Sequence, residues 1–219
     1  EYALTTAVSR REQTYEIVMR LQRSADQEVI WSRIFRANAQ SLDSATRASL
    51  ISGTVSAIAR TGGVIMADRY RSMPPLSDTT RGFACIVHAS RQHNSPSAEQ
   101  HQAVMACIDR TLAVDPKYAR AHAAKSLLLL EGLIRNYAHV DSASALSRAS
   151  VAASEAISLA PQSAQAHLAQ FLARFHESRF HDADESAARA LALNPYSIEI
   201  KARIAREACG GRAVGAQVV

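Results

Sequence analysis

Between Tyr2 and Arg36 apolar and polar positions alternate with a period of two. Tyr2, Leu4, Thr6 and Val8 fall on one side, and Ala3, Thr5 and Ala7 on the other. The charged run Arg10 to Gln13 interrupts the alternation. It then resumes with Tyr15, Ile17, Met19 and Leu21 opposed to Glu16, Val18, Arg20 and Gln22. The polar stretch Ser24 to Glu28 marks a second turn, and Val29, Trp31 and Ile34 open a third run. Such alternation between polar turns predicts an antiparallel three-stranded meander with one buried face. Three strands hide too little apolar surface to stand alone, so a covering helix is expected. Asp43 to Arg60 supplies it, with Leu50, Ile51, Val55 and Ile58 at helical spacing and Gly62-Gly63 as a left-handed C-terminal cap.

Downstream the chain repeats itself, which is best recognised before any site is sought. CIDRTLAVDP (Cys107 to Pro116), ASEAISLAP (Ala153 to Pro161) and AARALALNP (Ala187 to Pro195) end alike. The final prolines are 45 and then 34 residues apart, so the middle repeat carries an 11-residue insertion around Asn136 to Ser144. Five residues before each proline stand Thr111, Ala156 and Ala190, and twelve before stand Val104, Ala149 and Ala183. Small residues there let paired helices approach closely. Helical hairpins are predicted near 79–114, 119–160 and 164–194, with a capping helix over 197–209 that covers the last apolar face.

Residues 82–209, with His167, Phe171, Phe180, Ala183, Ala190 and Pro195 in the best-fitting repeat, resemble the tetratricopeptide family. The preceding run of strand, basic turn, strand, acidic turn and Trp31-bearing strand with Arg36 resembles the end of a TolB-like α/β domain. Asn38 to Thr46 departs from that family's acidic, phenylalanine-bearing segment. The resemblance implies a mainly α fold, a tetratricopeptide-like α-α superhelix behind a small β-meander with its helix, with the boundary at 72/73. It also implies a bacterial signalling protein whose output domain, a nucleotide cyclase or a winged-helix transcription regulator, lies outside this chain. The alternative is a stand-alone adaptor or scaffold in envelope or secretion processes. The location is cytoplasmic, or periplasmic if a membrane span precedes the chain.

Composition agrees with helices. Alanine occupies 42 of the 219 positions while aromatic residues make up 5%, a balance that favours closely packed helices over sheet. The net charge of +5 comes from 22 Arg and three Lys scattered along the chain. A nucleic-acid binder would cluster them on one face, so no nucleic-acid partner is expected. No apolar stretch approaches the roughly 20 residues of a membrane span.

Candidate chemistry is sparse. His88 and His93, like His176 and His181, are five apart and share no helical face, so neither pair suits a metal. His122 and His167 are read as packing rings with a polar tip. No nucleophile elbow or positioned Ser–His–Asp set is present, and Asp182, Asp184 and Glu185 suit the start of a helix. Neither catalysis nor a cofactor nor a metal is expected. The three cysteines lack a metal-binding spacing and are expected to be free thiols. Cys85 and Cys107 face each other across a hairpin turning at Asn94 to Ser97, but paired helix axes lie about 8–10 Å apart.

The candidate site is the groove lined by the first helix of each hairpin: Phe83, Ile86, Arg120, Leu127, Gln165, Leu168, Leu172, Arg203 and Arg206. Its middle is apolar and its arginines stand at the ends. That suits an amphipathic helix or a second copy of the chain better than a peptide carboxylate. Leu168→Asp with Leu172→Asp is expected to abolish association and leave helicity intact.

Overall fold

The computed structural model describes residues 1–38, 43–59, 63–91, 97–137 and 141–215, excluding the side chains of Ala59 and 210–215. The fold is mainly α with a small antiparallel sheet, and the chain divides into two compact units, Glu1–Ser72 and Met73–Val219.

In the first unit β1 (Tyr2–Arg11), β2 (Thr14–Arg23) and β3 (Val29–Asn38) form a sheet in that order. Leu4 pairs with Leu21 and Val8 with Ile17, while Ile17 pairs with Phe35 and Leu21 with Trp31. These residues share one face, as the alternation predicts, but that face is covered only over β2 and part of β3: along β1, the edge strand, Leu4 and Val8 are exposed. Trp31 and Phe35 lie on that face by simple alternation, which leaves Ile34 on the outer face, 52% exposed, and the register shift at Leu21/Gln22 comes before Trp31, next to Val29. Glu12 and Gln27 take left-handed backbone conformations in the two turns.

The covering helix is α1 (Ser44–Ala59). Asp43 starts it by accepting the Thr46 amide at 2.7 Å. Its inner side is Thr54 and Ile58, with the Thr54 hydroxyl 3.3 Å from Met19 Sδ. Ile51 and Val55 face solvent instead, because they lie one step round the helix from the Leu50–Thr54–Ile58 row. The glycine cap differs as well. Gly63 is extended and serves as the N-cap of a helix the periodicity did not reveal, α2 (Val64–Arg71). Gly62 lies outside the described residues.

α2 carries the centre of this unit. Asp68 is 2% exposed, and its carboxylate accepts from Tyr2 Oη at 2.9 Å, from Arg23 at 3.0 and 2.7 Å and from Arg71 at 3.2 Å. Arg23 also pairs with Asp26 and Glu28 at the β2–β3 turn. One buried charge thus ties β1, β2 and α2 together.

The second unit is three helical hairpins and a final helix: α3 (Phe83–Arg91) with α4 (Ala98–Val114), α5 (Ala119–Ile134) with α6 (Ser142–Leu159), α7 (Ala164–His176) with α8 (Phe180–Leu193), and α9 (Ile198–Gly215). α9 runs beyond the cap expected at 209. α3 starts later than expected because Gly82 takes φ +67, its amide bound to Thr111 Oγ1 at 2.9 Å. The turn at Asn94 to Pro96 and the insertion's residues 138–140 lie outside the described residues. α5 packs against α3 and α7, and α7 against α9. All six small repeat positions are buried: Thr111, Ala156 and Ala190, and Val104, Ala149 and Ala183.

The repeated prolines act locally. The residue before a proline is pushed out of the helical region, and Asp115, Ala160 and Asn194 all end their helices with ψ between 75 and 85°. The two equivalent histidines secure the first two of these loops. His122 Nε2 meets the Pro116 carbonyl at 2.8 Å, and His167 Nε2 meets that of Pro161 at 3.0 Å.

Cys85 and Cys107 form a disulfide with a Cα separation of 5.6 Å, so these two are not the free thiols expected; Cys209 is free and exposed. The mean spacing of helix axes misled because small residues line this contact. Ala89 and Thr111 flank the bridge and let α3 approach α4 closely.

Candidate protein-binding cleft

The row Leu127, Leu130 and Ile134 lies on one side of α5 at intervals of three and four. Facing it are Leu172 and His176 from α7 and Arg203, Arg206 and Glu207 from α9. With Glu131 and Arg135 these enclose a cleft of about 420 Å³. Its floor is leucine, its outer lip is Ile134 at 59% exposure, and its rim is charged. Glu131 accepts from Arg135 Nε at 3.2 Å one turn away on α5.

Electrostatics grade from floor to rim. Burial pushes the Arg203 guanidinium below its usual range, with Glu199, Glu131 and Glu207 acting in the opposite direction. Burial likewise lowers His176, against the pull of Glu207, and leaves its Nε2 buried without a hydrogen bond. Arg206 is exposed and lies 3.8 Å from Glu207. The carboxylates of Glu131 and Glu207 are more buried than the guanidinium groups of Arg135 and Arg206, so the outer rim presents positive charge.

The predicted groove residues separate into three groups. Leu127, Leu172, Arg203 and Arg206 come together in the cleft. Phe83 and Arg120 form their own pair, the guanidinium 5.9 Å from the ring centroid, where α3 meets α5. Ile86 and Leu168 are core residues, 6% and 0% exposed, and Gln165 is half-buried away from the cleft. Leu168 misled because α7 is packed on more than one side, so its apolar positions do not all point to one groove. Arg203 is also no free basic end, being 9% exposed. Sequence reasoning missed Leu130, Glu131, Ile134, Arg135, His176 and Glu207. The Glu131/Arg135 spacing of four was the available signal.

Among the described residues no group of three His, Cys, Asp or Glu side chains is placed to hold a metal ion. His176 lies in the cleft, while His181 is exposed beside Asp182, and His93 falls outside the described residues. Nor is any described helix long and apolar enough to cross a membrane. No protein-family model and no curated protein matches the chain.

Proposed function

We propose that this chain is a non-catalytic regulatory and protein-interaction module whose ligand is an amphipathic helix seated in the α5–α7–α9 cleft. The observation that carries this reading is the leucine floor under an arginine-rich rim. A floor of that kind takes an apolar anchor side chain, and the exposed guanidinium groups of Arg135 and Arg206 select acidic flanks. In the larger frame the module is a tetratricopeptide-like region behind the C-terminal part of a TolB-like domain. It belongs to a bacterial signalling protein whose nucleotide cyclase or winged-helix output lies outside this chain. The equivalent proline loops, their two histidine staples and the buried small positions support the repeat reading.

The alternative, an adaptor in envelope or secretion processes, is favoured by one observation. Disulfides persist in oxidising compartments, and Cys85 and Cys107 are joined.

The test uses the exposed lip, because aspartate at Leu168 would attack the core. Helical peptides with an apolar stripe and acidic flanks are selected against the chain and then measured by fluorescence anisotropy. Ile134→Lys should weaken them by on the order of tenfold or more with an unchanged circular dichroism spectrum, since interface anchors carry most of the binding energy. Equal binding to parent and variant would overturn the cleft assignment.

A further inference from the structure

A second cavity, of about 380 Å³, lies across α5 from the cleft and is walled by α4, α5 and α6. Its volume is within the range of small-molecule sites. The walls are mostly apolar, with Met105, Leu129 and Leu133 among them. Two buried polar groups in the lining lack partners, and an exposed arginine stands beside them. His101 is 7% exposed and its Nδ1 is buried with no hydrogen bond. The Tyr137 hydroxyl is buried and equally unbonded, its ring 5.2 Å from that of His101. Arg148, on α6, has no ion-pair partner among the described residues. Asp109 at the same cavity is neutralised by Lys125 at 2.7 Å.

This arrangement works against stability unless something fills it. A buried polar group without a partner costs on the order of 1–3 kcal/mol, and two such atoms share one small space here. The backbone is also shaped around the imidazole. A Cβ at Gly132 would lie 2.9 Å from His101 Nε2, so glycine makes room for the ring against α5. Both orphan groups and Arg148 can donate. Tyrosine offers its hydroxyl, neutral histidine can carry its proton on Nδ1, and arginine always donates. Burial favours the neutral imidazole, against Glu131. Three donors with a single uncompensated charge match a monoanion, and the apolar walls match the rest of a small organic molecule.

We propose that this cavity binds a small monocarboxylate with an apolar body, the carboxylate taken up by Arg148, Tyr137 and His101 and the body by Met105, Leu129 and Leu133. Benzoate and hexanoate are the probes, with benzamide and hexanamide as uncharged matches, titrated into isotope-labelled protein and followed by NMR. The carboxylates should shift the Gly132 amide and the Met105 methyl saturably, and the amides should bind about tenfold more weakly, the loss of one charge-assisted contact. Arg148→Gln, at an exposed position, should remove that preference without altering the melting temperature.

Tyr137→Phe separates ligand recognition from a structural role. Deleting an unpaired hydroxyl should leave the melting temperature equal or higher while weakening benzoate severalfold. Ile134→Lys, on the other side of α5, should leave carboxylate binding intact, so failure of the peptide cleft and failure of this site are told apart. Saturable shifts absent for every probe would overturn the proposal. So would equal affinity for acids and amides, or a Tyr137→Phe variant that loses stability and keeps its affinity.

Discussion

The sheet unit encloses a carboxylate, Asp68, among donors from Tyr2, Arg23 and Arg71, whereas the helical unit encloses imidazoles that burial holds neutral, those of His88, His101 and His176. The first arrangement binds distant strands and a helix through one charge. The second leaves cohesion to close packing, with Ala149, Ala153, Ala173, Ala183 and Ala190 at 0% exposure around Leu168 and Phe171. A unit organised by a charged network should respond to charge removal and to pH. A unit organised by alanine contacts and a covalent bridge should respond to volume and to reduction. Trp31, the only tryptophan, reports on the sheet unit, and far-ultraviolet circular dichroism is dominated by the helices of the other.

The comparison breaks most visibly at Leu168. A charge placed at a fully buried position loses the packing of the leucine and must be desolvated, together worth more than about 4 kcal/mol. Leu168→Asp should therefore abolish the helical circular dichroism signal while Trp31 emission keeps its folded value. Loss of both signals in one transition would show that the units do not stand separately.

The bridge comes next. Opening a loop across 22 residues of separation should cost about 3 kcal/mol, so Cys85→Ala with Cys107→Ala should lower the helical melting temperature and leave Trp31 untouched. Thiol titration of the denatured, non-reduced protein should find one reactive group, Cys209. Three reactive thiols would show that the bridge does not form.

What could be read in advance, and what could not, follows from the range of the interactions. Alternation with charged turns located the three strands because each strand's inward positions are set by neighbours of its own sheet. Proline after a helix located the hairpin ends because its constraint acts on the residue just before it. Helix α2 was missed since its one buried charge, Asp68, resembles a surface residue until Tyr2 and Arg23, 66 and 45 residues away, are folded onto it. At the candidate site, period alone named both Leu127 and Leu168. Only the tertiary packing shows that the first lines the cleft and the second the core. The His101 cavity had no local signal, because its polar groups come from α4, α6 and the connection between α5 and α6.

Acid separates the two units with the smallest energies. Burial lowers the histidines below their ordinary 6.5, so the folded helical unit binds fewer protons than its unfolded chain in that range. Their contribution is present above 6.5 and is lost as pH falls through the lowered folded values. Asp68 lies far below the ordinary 3.8, chiefly through Arg23, against the opposing effect of burial. Its contribution is present above 3.8 and is lost only as pH falls below that value. Asp43, lowered by the Thr46 amide, and Asp182, lowered by Arg179, are exposed and add little in the same acid range. Titration downward from neutrality should therefore move the helical melting curve first, beginning below pH 6.5, with the Trp31 transition following below about pH 4. Asp68→Asn should lower the stability of the sheet unit at neutral pH by about 1–2 kcal/mol, a modest figure because water still reaches Arg23. It should also flatten the acid dependence of the Trp31 transition and leave the helical curve where it was. Coincident acid transitions in the parent, or an Asn variant with the parent's Trp31 profile, would show that the carboxylate network does not govern the sheet unit.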